Sequence, residues 1–577
     1  MSGVGSASFG EMFTPKLVTV LKEGYRLEAF KADLVSGLTV AIVALPLSMA
    51  IAIASGVSPD RGLITAIVGG FFVSLLGGSR FQIGGPAGAF ILLVSATVAA
   101  QGVEGLVLAT FLSGLILAAI GIFRLGTFVK YIPYPVTVGF TSGIAVIIAA
   151  TQLREFFGLT LDGTEPGPIV DKLTALASAA GTLDPASLGI ALFSLALILI
   201  VRRFRPHWPV LLIAVVAASL LTTIGGFDIA TIGSRFGGVP SSLPAPTLPD
   251  LSAEKVMAAL PPAVSFALLG SIESLLSAVV ADSMSGRRHR SNCELVAQGV
   301  ANVASSLFGG ICVTGTIART ATNVRSGAKS PISGILHSGF LLVFVLVAAP
   351  LAAYIPLAAL AAVLLFVAWN MAEKHEFWAL IKASRGDAVV VLATFLLVVF
   401  RDLTEGILVG FGLGALLFLH RMANEVTVKG HGIAIATPDQ ADSTYEKGSE
   451  PYSDRVLGDP EIFVCRISGA FFFGAAASVG AVLDRIAERP KVYVLDFSEV
   501  PFIDSSAAAT VLGFVDKAKS RDASVVIAGA GEASRRILLT QGLEDGATLF
   551  RPDLDAALKL AHQIVDEGGA ELRTRPA

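Results

Sequence analysis

Charge is what this chain has least of. Asp, Glu, Lys and Arg make up only 15% of its 577 residues, against 54% hydrophobic residues. A soluble domain carries about a quarter charged residues, so composition alone excludes an ordinary water-soluble fold. Mean hydropathy is +0.74, which points to a polytopic membrane protein. The net charge of −3 excludes the basic balance expected of a nucleic-acid binder. Cysteine is scarce too. Cys293, Cys312 and Cys465 sit in unrelated contexts, without metal or redox spacing, and read as small buried residues. A nucleophile paired with a base, a metal cluster and a P-loop are all missing, so no enzyme is expected and no cofactor is implied. Residues 1–33 mix Lys16, Lys22, Glu23, Arg26, Glu28, Lys31 and Asp33 with no apolar core, so no cleavable signal peptide is expected and the N-terminus is placed in the cytoplasm.

What the chain has is long apolar runs. Twelve of roughly spanning length fall near 34–54, 61–77, 104–123, 133–152, 187–204, 209–227, 260–282, 292–310, 331–350, 355–372, 386–402 and 404–421. Two shorter runs, near 86–101 and 315–328, bring the total to fourteen. Loop charges test the count. With the N-terminus inside, the even loops carry Arg80, Arg124, Arg202, Arg203, Arg205, Arg287, Arg288, Arg290, Arg325, Lys329 and Lys382, and the odd loops are acid-rich. That asymmetry satisfies the positive-inside rule and places residues 422–577 in the cytoplasm.

The two short runs begin badly for membrane helices. One follows Gln82-Ile83-Gly84-Gly85-Pro86-Ala87-Gly88; the other follows Gly309-Gly310-Ile311-Cys312-Val313-Thr314-Gly315-Thr316. Backbone that unwinds inside a bilayer must line a cavity or be buried in protein. The helix that follows presents free N–H groups and a partial positive charge. Two such starts, third and tenth of fourteen, suggest a seven-plus-seven inverted repeat with an anion site between the broken segments. The alternative is that the glycines only permit close helix packing.

Arg319 lies in the first turn of the second short helix, and an intramembrane cation there calls for a compensating anion: the substrate, or a carboxylate such as Glu273. Glu273 lies inside the eighth run with Ser277 one turn later. An isolated intramembrane acid suits proton coupling, a sodium site, or a salt bridge with Arg319. Pro46 kinks the first run. Asn323 and Asn370 are lesser polar candidates, Arg287 to Arg290 read as a topology anchor, and His337 reads as interfacial.

After residue 422 the composition turns polar. Residues 422–458 read as a linker and 459–569 as a small α/β domain, with strands at 462–467, 492–497 and 524–528 and helices at 475–488, 506–520, 533–541 and 553–566. In Val500-Pro501-Phe502-Ile503-Asp504-Ser505-Ser506, Asp504 or Ser505 would cap the helix; a phosphate acceptor at Ser505 is the alternative.

The stretches Ser271-Ile272-Glu273-Ser274-Leu275-Leu276, Asn292-Cys293-Glu294-Leu295-Val296-Ala297-Gln298-Gly299 and Ile317-Ala318-Arg319-Thr320-Ala321-Thr322-Asn323 resemble the SulP family of anion transporters, solute carrier family twenty-six. The tail resembles a STAS domain, with Asp504-Ser505-Ser506 at its signature loop. The resemblance implies an all-α membrane domain over 34–421, fourteen spans in two inverted repeats divided into core and gate, and a cytoplasmic STAS domain. It implies a substrate site at Pro86, Ala87, Gly88, Gly315, Ile317, Ala318 and Arg319, with Leu47 and Ile51 of the first span beside it and Glu273 with Ser277 at the cation-coupling position. It further implies elevator-like transport by a homodimer of a bacterial inner membrane, and a possible cytoplasmic partner for the STAS domain. Ile272-Glu273-Ser274 and Val367-Ala368-Trp369-Asn370-Met371 are most similar to the proton-coupled dicarboxylate and sulfate branch. Sodium-coupled bicarbonate members tend to have Asp where Glu273 stands. Leu47 and Ala87 depart from the Gln and Phe of some members, which leaves the anion open. Sodium–bicarbonate symport, anion exchange, nucleobase transport and a STAS-output membrane sensor are the competing readings.

Overall fold

The computed structural model describes residues 9–161, 163, 165–205, 208–401, 403–430, 461–484, 490–543 and 548–566. Residues 431–458 of the expected linker lie outside that set. The chain forms two compact units, Met1–Gly414 and Ala415–Ala577.

Every expected apolar run of the first unit is helical. Spans 1 and 2 are Leu27–Ala54 and Pro59–Leu76, and spans 3 and 4 share one helical rod, Gly88–Ile122. Gly102 breaks that rod with a φ of 69°, a left-handed conformation that glycine adopts without a Cβ penalty. Spans 5 to 9 are Tyr134–Phe157, Pro185–Phe204, Val210–Gly225, Ala253–Ser285 and Ser291–Leu307. Span 10 is Ile317–Arg325, and spans 11 to 14 are Ile332–Ala352, Leu357–Met371, Arg385–Phe400 and Leu403–Asn424. Among the described residues, nine helices are long and apolar enough to cross a bilayer by length alone. Spans 7, 9, 10 and 13 fall short of that length, and spans 3 and 4 count as one helix, so a count by length gives nine for the fourteen.

The helices pack by small residues. A Cβ at Gly114 would lie 2.6 Å from the Gly299 carbonyl oxygen, and one at Gly299 the same distance from that of Gly114, so spans 4 and 9 touch backbone to backbone. Span 2 relaxes into a π-helical turn at Thr65–Gly69. There the Thr65 hydroxyl accepts the Ile311 N–H at 2.7 Å, tying span 2 to the segment that leads into span 10.

Several short elements are absent from the sequence reading. A short helix, Lys16–Gly24, precedes span 1. Its start is tied down by the Lys16 N–H on the Gly77 carbonyl at 2.9 Å, and Arg290 Nη1 reaches the Thr14 carbonyl and the Thr19 hydroxyl at 2.8 and 3.0 Å. The expected topology anchor at 287–290 therefore has a partner in the N-terminal segment. A second short helix, Lys374–Ala383, lies between spans 12 and 13.

The second unit holds a five-stranded sheet in order β3-β4-β5-β6-β7: Thr427–Gly430, Ile462–Ser468, Val492–Glu499, Ser524–Ala528 and Thr548–Arg551. β4 to β7 run parallel and β3 is an antiparallel edge. All six residues from Val492 to Phe497 are buried, as a central strand covered on both faces requires. β3 corrects the expectation of a linker from residue 422. Four residues are too few for a strand signal in sequence, and pairing with β4 supplies the order.

Candidate functional site

The two broken segments meet. Gly84–Gly85 (β1) and Thr314–Gly315 (β2) pair antiparallel, Gly84 opposite Gly315 and Gly85 opposite Thr314. This answers the first difficulty of unwound backbone in a bilayer, because each segment satisfies the other's peptide groups. The pairing continues outward: the Thr316 N–H and hydroxyl both donate to the Ile83 carbonyl, at 3.0 and 3.2 Å. The Ile83 N–H donates to the Thr320 hydroxyl at 3.1 Å. The expected set of free N–H groups therefore narrows at its edge. Thr316 is used, and the first turn of span 10 offers those of Ile317, Ala318 and Arg319.

Helix starts flank the pair. A 3₁₀ turn, Gly88–Phe90, opens span 3, with Ala87 extended just before it. Thr316 is extended before Ile317 opens span 10. Pro86 and Ala87 are buried, Gly88 and Ile317 are half-buried and Ala318 is exposed. Leu47 and Ile51 of span 1 are both buried in the same apolar core as Ala87 and Phe90. The sequence-derived list thus divides into a closed wall and an open lip at Ala318.

Arg319 is the centre of the arrangement. Its side chain is among the largest fully buried ones in the chain, with only 1% of the residue exposed. Nη2 donates to the Ser48 hydroxyl at 3.2 Å and to the Pro86 carbonyl at 3.3 Å, joining spans 10, 1 and 3. Among the described residues, Nε and Nη1 have no hydrogen-bond partner. Gly85 makes the room: a Cβ there would stand 2.0 Å from Nη1. Glu273 likewise has a buried carboxylate oxygen, Oε2, without a partner. Among the described residues, no ion pair joins Arg319 to Glu273, so the internal salt bridge weighed from sequence is not formed.

Span 8, which carries Glu273, is braced against the β pair. The Thr314 hydroxyl donates to the Gly270 carbonyl at 3.1 Å. Gln82 Nε2 donates to the Ser274 carbonyl and hydroxyl at 3.1 and 2.7 Å. Gln82 in turn fills the space above Gly315, where a Cβ would lie 1.6 Å from its Nε2. Ser277 donates to the Thr320 hydroxyl at 3.1 Å, so it ties span 8 to span 10.

Sequence reasoning missed Gln82, Ser48, Ser274 and Thr320. Each is a small or medium polar residue, three of them within or at the edge of apolar runs and Gln82 in the break before one, and only the meeting of distant segments gives it a role. Asn323 proves central: Nδ2 donates to the Phe81 carbonyl and the Ser333 hydroxyl, both at 2.9 Å, and Oδ1 accepts from Ser36 at 2.6 Å. Asn370 instead accepts from Arg202 at an exposed position, at 2.7 Å. His337 corrects the interfacial expectation. It is wholly buried, because span 11 starts at Ile332 and packs along spans 1 and 2. In the second unit Asp504, not Ser505, caps the helix Ser505–Lys519, accepting the Ala507 N–H at 2.9 Å, and Ser505 is exposed.

Comparison with known proteins fits this arrangement. The pattern described as "Sulfate permease family" matches residues 30–394, and that of the "STAS domain" matches residues 455–557. "Putative sulfate transporter YvdB" of Bacillus subtilis is 37% identical over 523 residues, covering 90% of this chain and 95% of its own length. "Bicarbonate transporter BicA" of Synechocystis is 32% identical over 522 residues, covering 88% of this chain and 90% of its own. The solved transmembrane domain of a cyanobacterial BicA superposes with a TM-score of 0.59 at 33% identity, over 68% of this chain and 98% of that one. The overall structure of SLC26A9 matches at a TM-score of 0.81 over 97% of this chain and 94% of that one; at 19% identity this shows the shared fold.

Proposed function

This chain belongs to the sulfate permease family and is an anion transporter of multi-pass membrane topology, and we propose that it works as a proton-coupled symporter of sulfate or of a dicarboxylate such as fumarate or succinate. The observation that carries the reading is Arg319: a fully buried guanidinium, seated between two broken helices, with two donor nitrogens that nothing among the described residues satisfies. A charge removed from water without a counter-charge costs several kcal/mol. An anion at the starts of spans 3 and 10 supplies that counter-charge and meets the N–H groups of both helix ends.

Glu273 supports the coupling half of the proposal. Its orphaned oxygen is an acceptor, so a proton or a cation must accompany any state that leaves it without a partner. The likeness of Ile272-Glu273-Ser274 to the proton-coupled branch favours a proton over sodium. Sodium-coupled bicarbonate symport is the second reading, its choice of anion favoured by the likeness to the bicarbonate transporter BicA. In the proposed cycle spans 1 to 4 and 8 to 11 form a core that carries the anion past a gate of the remaining spans. Both termini are proposed to lie in the cytoplasm of a bacterial inner-membrane protein that acts as a homodimer, with exposed Ser505 as the place where phosphorylation or a STAS partner would act.

The test is an uptake panel in proteoliposomes: sulfate, fumarate and bicarbonate, each with a proton or a sodium gradient. Accumulation of sulfate or fumarate on a pH gradient alone is the expected result. Bicarbonate accumulation that requires sodium would replace this reading with the second. Glu273→Gln is expected to abolish accumulation on a pH gradient while leaving anion binding. Accumulation at the wild-type level would remove Glu273 from the coupling role.

A further inference from the structure

The short helix Lys16–Gly24 gathers cations at one end of the first unit. The Lys16 N–H donates to the Gly77 carbonyl at 2.9 Å, and the Arg290 N–H donates to the next carbonyl, that of Gly78, at 3.0 Å. These two basic residues thus hang from neighbouring peptides of the turn between spans 2 and 3. Arg80, two residues further along that turn, pairs with Glu23 near the end of the helix. Arg290 reaches back to the Thr14 carbonyl and the Thr19 hydroxyl through Nη1 alone. Arg287, in the same loop as Arg290, is exposed.

The local acids do not balance this charge. Glu23 is taken by Arg80. Asp282 is taken by His289, whose Nδ1 and backbone N–H lie 2.7 and 3.0 Å from its Oδ2. Among the described residues, the half-buried Lys16 ammonium makes no hydrogen bond or ion pair. Burial first, then the Arg290 and Arg80 guanidiniums, hold it below its usual value, with Asp282 and Glu23 opposing. Like charges drawn together on one turn repel one another until an anion joins them.

Beside the cations the helix carries an uncovered apolar face. Val18 and Leu21, one turn apart, are 37% and 54% exposed, and Leu27 at the start of span 1 is 68% exposed. Val20, on the other side, is buried, and the helix packs against the end of span 2. A helix with one apolar face and basic side chains lies in the plane of a membrane interface. Basic clusters at the ends of spans attract acidic headgroups.

We propose that this cluster binds an acidic phospholipid, with its phosphate among Lys16, Arg287 and Arg290 and its acyl chains along Val18, Leu21 and Leu27. The headgroup supplies the charge the cluster lacks. The chains cover a face that a free phosphate ion would leave in water. The bound lipid joins the N-terminal helix to the loops before spans 3 and 9, and so steadies that end of the unit. From the functional reading the proposal takes only that this end faces the cytoplasmic leaflet; no part of it depends on which anion is carried.

Thermal melting of the purified full-length protein in detergent tests it, with phosphatidylglycerol, phosphatidylcholine and inorganic phosphate as titrants. Phosphatidylglycerol is expected to raise the melting temperature saturably, and phosphatidylcholine to leave it unchanged. Lys16→Gln should raise the half-saturating concentration roughly fivefold, and Lys16→Gln combined with Arg287→Gln about 25-fold. Arg203→Gln removes an exposed cation near the end of span 6 and should keep the wild-type midpoint. Equal half-saturation in wild type and the double variant, an equal loss in Arg203→Gln, or an equal response to phosphatidylcholine overturns the proposal. A response to inorganic phosphate that disappears in the double variant also overturns it, because the cluster would then hold a free anion. None of these outcomes touches the symport reading, whose failure shows in the uptake panel instead.

Discussion

A single guanidinium organises the site. Arg319 spends one nitrogen on Ser48 and Pro86, and leaves Nε and Nη1 without a partner among the described residues, with Nη1 in the room that Gly85 provides. Charge-assisted hydrogen bonds to an oxyanion are about twice as strong as neutral ones. Arg319→Ala is therefore expected to weaken sulfate binding by about tenfold or more, equivalent to at least ~1.4 kcal/mol. Calorimetry on the solubilised protein measures it directly. An affinity equal to wild type would reduce Arg319 to a structural cation holding spans 1, 3 and 10 together. The residue stood out in sequence because cations are rare in apolar runs. His337 and Gln82 did not. Position 337 lies five residues after the start of span 11, where a histidine reads equally well as interfacial or buried. Gln82 sits before a Gly-Gly-Pro break, where polarity reads as loop.

At the scale of elements, the apolar runs were legible because lipid demands apolar residues along them, although spans 1 and 8 begin well before the expected runs, at Leu27 and Ala253. Helices that answer to tertiary contacts were not. Lys16–Gly24 is held by Gly77 and Arg290, far away in sequence. The meeting of β1 and β2 was also hidden: two residues each give no strand pattern, although the glycines that allow it were visible. Gly315 shows what that meeting demands. An added Cβ would collide with the Nε2, Cδ and Cγ of Gln82, which is itself pinned to Ser274. Overpacking of this kind costs about 1–3 kcal/mol. Gly315→Ala should lower the thermal melting temperature and slow transport, and Gln82→Ala in the same chain should restore part of both. A Gly315→Ala protein that melts with wild type would mean that Gln82 moves aside freely, and that the β pair is not a rigid floor to the site.

The whole molecule joins two units that follow different rules. The first buries helices in a medium where backbone must pair within the chain; the second is an α/β domain with its own core of Phe471, Phe497, Val511 and Leu538. Its composition shift and strand–helix alternation were readable from sequence, whereas edge strand β3 and short β7 were not. Titration should separate the units, because the second contains a buried carboxylate of known setting. Burial alone would push the Asp496 carboxyl up. The Ser498 hydroxyl at 2.6 Å, the Ser498 N–H at 3.0 Å and Arg466 Nε at 2.7 Å favour the anion and hold it below the usual carboxylate range. A depressed carboxyl stabilises the folded state fully above the unfolded value of about 3.9 and loses that contribution as pH falls through the folded value. Between about pH 5 and pH 3, β5 should therefore exchange its amide hydrogens faster, after correction for the intrinsic rate. Asp496→Asn removes the anion and weakens the hydrogen bonds from Arg466 Nε and Ser498, at a cost of about 1–3 kcal/mol. Its β5 should exchange fast already at pH 5 and respond little to acid. Equal acid sensitivity in the two proteins would mean that another carboxylate governs this unit, and that the Arg466–Asp496 pair contributes nothing to holding β4 beside β5.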